Sequence, residues 1–245
     1  MSPHSPVLPA AAAATLLLAL GGCGSIEIAP EPQIPAPIVR ALPAKAAVVL
    51  SGEQRNYKHT ETRAGVEWQV SLGAGHTRLA HRLFEALFEE HVFVDSLEAA
   101  RGLPGLDVIF EPRMEQYSFA TANETGGGYY AVTIRYRVNV YAPDLQLVDS
   151  YTITGYGNSR DKSISSSEPL AAATRAAMRD AAAKFFVQFP QQPLGQKLAR
   201  GEPLVAPGAS AAGDGAVTKA DAARIIEAVP VIEPRHERLA DAPGA

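Results

Sequence analysis

Between residues 66 and 189 the apolar positions follow two periods. Val66, Trp68, Val70 and Leu72 alternate with Glu67, Gln69 and Ser71, the period of a strand with one buried face. Gly73-Ala74-Gly75 interrupts it. Over residues 76–90, Leu79, Leu83, Phe84, Leu87 and Phe88 form one helical stripe, with Arg78, Arg82, Glu85 and Glu89 off it. Gly102, Pro104 and Gly105 mark a loop. Val108, Phe110 and Met114 then oppose Glu111, Arg113 and Glu115 in a second strand, where Pro112, lacking an N–H, predicts an edge position or a bulge. Gly126-Gly127-Gly128 turns the chain into the clearest strand. Tyr130, Val132, Ile134, Tyr136, Val138 and Val140 alternate there with Thr133, Arg135, Arg137 and Asn139. After a turn at Pro143-Asp144, Leu147, Tyr151 and Ile153 oppose Val148, Ser150, Thr152 and Thr154. A polar loop over 157–167 leads to a helix over 168–189. Its stripe is Leu170, Thr174, Ala177, Met178, Ala181, Phe185 and Phe189, with Ser166 or Ser167 as cap and Pro169 in the first turn.

The predicted order is β-α-β-β-β-α. Because every strand alternates, one sheet face must bury and the other must meet solvent or a ligand. The expectation is an α+β fold with a mainly antiparallel four-stranded sheet and both helices on one face. Ala173, Ala177 and Ala181 would let the second helix approach that sheet closely. A strand over 129–141 spans roughly 44 Å, so it must bend or bulge, or its hairpin must project.

The composition is uneven. All seventeen aromatic residues lie between Tyr57 and Phe189, so the folded domain is expected over 44–190. Residues 24–43 hold five prolines and read as a semi-rigid extended spacer. Residues 191–245 contain 25 Ala, Gly and Pro among 55 positions, too little bulky apolar surface to offset the entropy of ordering. Only residues 218–228 (TKADAARIIEA) have helix character there. A net charge of −4 with no charge block excludes an electrostatic nucleic-acid binder. The single Cys excludes an internal disulfide and a Cys-cluster zinc site.

That cysteine ends the only long apolar run. Residues 7–20 (VLPAAAAATLLLAL) are too short for a membrane span but fit a signal-peptide core over 1–22. Leu20-Gly21-Gly22-Cys23 resembles the lipobox of bacterial lipoproteins. The resemblance implies that Cys23 becomes the lipidated first residue, anchoring residues 23–43 to a membrane. Gly24 in place of Asp implies, in the sorting pattern of enteric bacteria, delivery to the outer membrane. Lipobox, Pro-rich spacer and β-α-β-β-β-α domain together resemble the small envelope lipoproteins of the lipopolysaccharide-assembly and penicillin-binding-protein activator types. That resemblance covers residues 23–190 and carries no residue motif beyond the lipobox. It implies a non-enzymatic accessory, periplasm-facing, that binds an envelope protein or polymer.

No catalytic or cofactor signature competes with this. His76 and His81 are five apart and diverge by ~140° on a helix, so they cannot form an i, i+4 metal pair. Gly155-Tyr156-Gly157-Asn158 lacks the third glycine of a dinucleotide loop. Glu111 and Glu115 lie ~13 Å apart along a strand, too far for paired glycosidase carboxylates. No metal or cofactor is expected. The candidate surface is the polar sheet face. Arg113, Arg135 and Arg137 either form cross-strand ion pairs with Glu111 and Glu115 or gather phosphate or carboxylate groups of a partner. Tyr129 and Tyr141 are candidate interface anchors. Two other readings stand beside this one: an auxiliary subunit of an ABC-type lipid transporter, and a hydrolase whose site has no recognisable motif.

Overall fold

Two sheets organise the molecule, not one. The computed structural model describes residues 25–30, 40–160, 167–204 and 224–225. Cys23, residues 31–39 of the Pro-rich stretch and most of the tail lie outside the described residues. The elements in chain order are β1 (Ser25–Ile28), β2 (Leu42–Val49), α1 (Gly52–Arg55), β3 (Lys58–Arg63), β4 (Val66–Ser71), α2 (Gly73–Leu87), β5 (Phe88–Val94) and α3 (Leu97–Arg101). They continue with β6 (Val108–Ala120), α4 (Ala122–Thr125), β7 (Tyr129–Tyr141), β8 (Leu147–Arg160), α5 (Ser167–Gln188), a 3₁₀ turn (Phe189–Gln191), α6 (Pro193–Ala199) and β9 (Arg224–Ile225). The small sheet has the order β1-β4-β3. The large one runs β5-β2-β6-β7-β8, with the two residues of β9 pairing parallel to Tyr151 and Thr152 at its edge.

The fold is α+β, but the single antiparallel four-stranded sheet is overturned. Its expected first strand, β4, belongs to the small sheet, and the large sheet is mixed because β2 runs parallel to both β5 and β6. Each missed strand has a physical reason for its silence. In β2, Ala46 and Val48 enter the main core while Ala47 and Val49 enter a second core beneath α3, so both faces are apolar and nothing alternates. β3 (KHTETR) has no apolar position at all; it is held by its ladder to β4 through a two-residue turn, Ala64 (φ 50°) and Gly65 (φ 78°). β5 was hidden inside the helical stripe. Phe88 is buried as expected, but from extended backbone (φ −127°, ψ 140°), so α2 ends at Leu87 and passes directly into a strand. β8 continues to Arg160 through residues expected to form a loop.

Both ends of the packed body also reach beyond 44–190. Ser25–Ile28 pairs in parallel with β4, from Ser25 opposite Glu67 to Ile28 opposite Val70, and Ile28 is buried. At the other end Leu194, Leu198 and Leu204 are buried, so the first part of the Ala/Gly/Pro-rich tail packs against the core. Arg224–Ile225, within the tail expected to be largely disordered and in the one stretch with helix character, is extended.

α2 and α5 lie on the same face of the large sheet, with Phe84 5.1 Å from Phe110 and 6.1 Å from Phe185 between ring centroids. The contact of α5 with β8 uses two glycines. A Cβ on Gly155 would lie 2.1 Å from the Ala177 carbonyl oxygen, and one on Gly157 would lie 2.1 Å from that of Ala173. The Gly-x-Gly of β8 is therefore a seat for the alanine stripe of α5. Thr174, a polar member of that stripe, is fully buried. Its Oγ1 donates to the Leu170 carbonyl, so Tyr117 Oη donates to Thr174 at 2.8 Å.

β6 outruns its parallel neighbour. It pairs with β2 only from Val108 to Phe110, yet continues beside β7 to Ala120. Pro112 sits where β2 has ended, so its missing N–H leaves no gap in a ladder. Its carbonyl accepts from buried His76 Nε2 at 3.2 Å, and the next inward N–H, of Met114, donates to buried Gln54 Oε1 at 2.7 Å. Side chains from α2 and α1 thus complete the edge that β2 leaves open. The expected bulge falls two residues later, between Met114 and Gln116. It exchanges the inward parity from Val108, Phe110 and Met114 to Tyr117 and Phe119, which meet the small sheet at His59 and Trp68 respectively.

Two outcomes follow from this packing. Gly155→Ala should destabilise the fold by about 1–3 kcal/mol through overpacking against α5, read as a lowered Tm. Gly102→Ala, which meets open space, should leave Tm nearly unchanged. Burial pushes the His76 imidazole down to about 4, against the pull of its bond to Pro112. The neutral ring is the native form, so the stability it supports is complete above pH ~6.5 and is lost as pH falls towards 4. The difference is about 3 kcal/mol. His76→Gln, which keeps a donor, should flatten that part of the stability–pH curve in urea titrations.

Candidate partner-binding face

The face of the large sheet away from α2 and α5 divides into three bands along β7. At the Tyr141 end it is apolar: Ile109, Ala47, Val49, Ala100 and Leu106 form the second core, with Tyr141 packed at its border. In the middle lie the arginines and glutamates. Towards Tyr129 the facing positions are Ser118, Thr133, Ala131 and Tyr156, all without charge.

The middle band is built by register and by the alternation that puts Glu111, Arg113 and Glu115 on one face. Arg113 stands directly opposite Arg137, a pairing of like charges that would repel. Glu115, the extra residue of the bulge, relieves it by taking Arg137 Nε and lying 3.4 Å from Arg135 Nε. Arg113 is held by Glu111 and by Glu53 of α1, each at 3.3 Å. Glu111 Oε2 also accepts from Asn139 Nδ2 at 3.0 Å and from Tyr141 Oη at 2.9 Å, while Ser150 Oγ donates to Asn139 Oδ1. The hydrogen bond that Arg137 donates to Glu115, and then the carboxylate's charge, raise the Arg137 guanidinium. Burial, then the bond to Glu111, push the Tyr141 phenol up to about 12. Beside α1 the band opens into a groove of about 750 Å³, lined by Glu53, Tyr57, Arg113, Glu115, Arg135 and Arg137 among others.

Arg113, Arg135 and Arg137 are therefore brought together, with their carboxylate partners, and Tyr141 joins them through Glu111. Tyr129 does not belong to the same site. It begins β7 while Tyr141 ends it, twelve residues and roughly 40 Å along the strand. The sequence pattern missed Glu53 and Gln54. Ser51 capping a turn at the Gln54 N–H, with acidic Glu53 following, was the available local signal, but nothing local places that turn over β6. Cys23 lies outside the described residues.

Chemically the band presents three guanidinium groups, 37%, 48% and 37% exposed at Arg113, Arg135 and Arg137. Each pair at this exposure contributes under ~1 kcal/mol to stability. The arrangement suits recognition. Arg135 and Arg137 meet Glu115 through Nε, and the terminal amines of a guanidinium can take a second carboxylate or phosphate without displacing the first. Among the described residues no group of His, Cys, Asp and Glu is arranged to hold a metal ion.

No family model and no curated protein matches the chain. Among solved structures, a neuraminyllactose-binding hemagglutinin homolog from Helicobacter pylori is similar at 7% identity, covering 70% of this chain and 98% of that one, with a TM-score of 0.45. A PelC dodecamer from Paraburkholderia phytofirmans is similar at 17% identity, covering 61% of this chain and 94% of that one, with a TM-score of 0.32. Both likenesses are too distant to carry an argument about this chain.

Removing the shared carboxylate tests the geometry of the band. Glu115→Gln should destabilise the domain by about 1 kcal/mol at low salt by leaving Arg113 and Arg137 opposed. The loss should shrink at high salt, as screening weakens the repulsion, in denaturant titrations at the two ionic strengths.

Proposed function

We propose that the chain is a bacterial lipoprotein held by lipidated Cys23 in the outer membrane and facing the periplasm. There it acts as a non-catalytic accessory in envelope assembly or transport. The apolar run ending in Leu20-Gly21-Gly22-Cys23 supports the anchor. The observation that supports partner binding is the open ionic band, where Arg113, Arg135 and Arg137 converge beside a groove while each keeps a carboxylate partner. Such a surface is stable when empty and still offers guanidinium donors to an acidic protein segment or an anionic envelope polymer.

The test is a crosslinked pull-down of the lipidated protein from its own fractionated membranes, paired with direct binding to lipopolysaccharide and peptidoglycan. Arg135→Ala/Arg137→Ala should weaken capture at least about tenfold, since hydrogen bonds to charged groups contribute ~1.5–3 kcal/mol each. Capture unchanged by the double substitution overturns the assignment of this face. Cys23→Ser should move the protein from the membrane to the soluble fraction. Recovery of the unmodified chain with the inner membrane instead would support the transporter-subunit reading.

A further inference from the structure

The chain leaves almost no length between the proposed anchor and the folded body. β1 starts at Ser25, two residues after Cys23, so their Cα atoms are separated by at most roughly 7 Å. The prolines expected to lift the domain off the membrane follow β1 and connect it to β2. They therefore add nothing to the distance between lipid and domain.

β1 also enters at a defined end. Ser25 pairs with Glu67, next to the Ala64-Gly65 turn that joins β3 to β4. That turn sits against the tip of the β6–β7 hairpin: Arg63 pairs with Glu124 of α4 at 2.6 Å, and Trp68 packs on Phe119 and Tyr130. The last residue of β8, Arg160, stands opposite Tyr129 at the same end. The β3–β4 turn, α4, Gly126-Gly127-Gly128 and Tyr129 thus share one end of the molecule with the start of β1. The β7–β8 turn around Gln146 occupies the other, roughly 40 Å away along β7.

From this placement we infer that the domain stands upright on the bilayer to which Cys23 is bound, with its β3–β4 turn, hairpin tip and Tyr129 resting on the lipid headgroups. The inference rests on lipidation of Cys23. The surface has the chemistry for it. Tyr129 is exposed beside three glycines, and an amphipathic phenol suits the headgroup level. The charges at this end are of both signs, Arg63 with Glu61 and Glu124, then Glu67 and Arg160, so the contact needs no anionic lipid. In this posture Arg135 and Arg137, six and eight residues along β7, stand roughly 20–27 Å above the membrane. That is beyond the ~8 Å reach of headgroup charge, and it leaves the ionic band free for a periplasmic partner.

The experiment uses the full chain, lipidated in a host that processes lipoproteins, in zwitterionic phosphatidylcholine vesicles carrying a quencher on the headgroup. Lipidation consumes the only native thiol, so a fluorophore on Asn123→Cys or Gln146→Cys is unique. Quenching at position 123 should exceed that at position 146 several-fold. Equal quenching at the two positions, or stronger quenching at 146, in a sample that floats with the vesicles overturns the orientation alone. A sample that does not float overturns the anchor, and the orientation with it.

Discussion

A strand that outlasts its neighbour leaves buried backbone groups that must be satisfied by something else, and this fold is arranged around that need. β6 has a parallel partner for three residues and then runs on for ten more. An unpaired buried peptide group costs about 1–3 kcal/mol, so the open edge has to be completed. Pro112 removes one donor at the first position beyond β2. His76 and Gln54 then take the Pro112 carbonyl and the Met114 N–H. That demand fixes α2 and α1 against β6, and it holds His76 in a site dry enough to keep its ring neutral. The edge of β8 beyond its two-residue pairing with β9 is managed likewise. The Tyr156 N–H donates to Asp180, and Lys184 donates to the Thr154 carbonyl, both from α5. Side chains standing in for missing strands also blunt edge-to-edge association.

The same overhang generates the candidate surface. The bulge after Met114 turns Tyr117 and Phe119 inward to meet the small sheet and leaves Glu115 facing Arg135 and Arg137. The irregularity therefore acts on the buried face, joining the small sheet to the core, while the alternation of Glu111, Arg113 and Glu115 keeps the carboxylates among the arginines. Glu53, next to the Gln54 that completes the β6 edge, reaches Arg113 from α1. The edge repair and the ionic band are built from adjacent residues.

The alternation in 129–141 and the stripes of α2 and α5 were legible in the chain because each element buries one side only. Residues 129–141 form one strand, and Ala173, Ala177 and Ala181 lie buried in α5. The arginines of the ionic band were legible for the same reason, since odd positions of β7 share a face. What escaped was whatever carried no periodic signal: β2, apolar on both faces; β3, polar on both; β5, whose Phe88 continues a helical stripe while its backbone is extended.

Local sequence thus determined which residues alternate, which form helices, where aromatics permit a core, and the lipobox-like pattern at Cys23. Pairing of strands remote in sequence was decided only in three dimensions. β1 docks on β4 from within a stretch that composition marks as a spacer, β2 inserts between β5 and β6, and α1 delivers Glu53 to Arg113 from sixty residues away. The physical reason is that periodicity records which side of an element is buried. It does not record against what: partner, register and the closing of an open edge depend on backbone groups and shapes that meet only when the whole chain has packed.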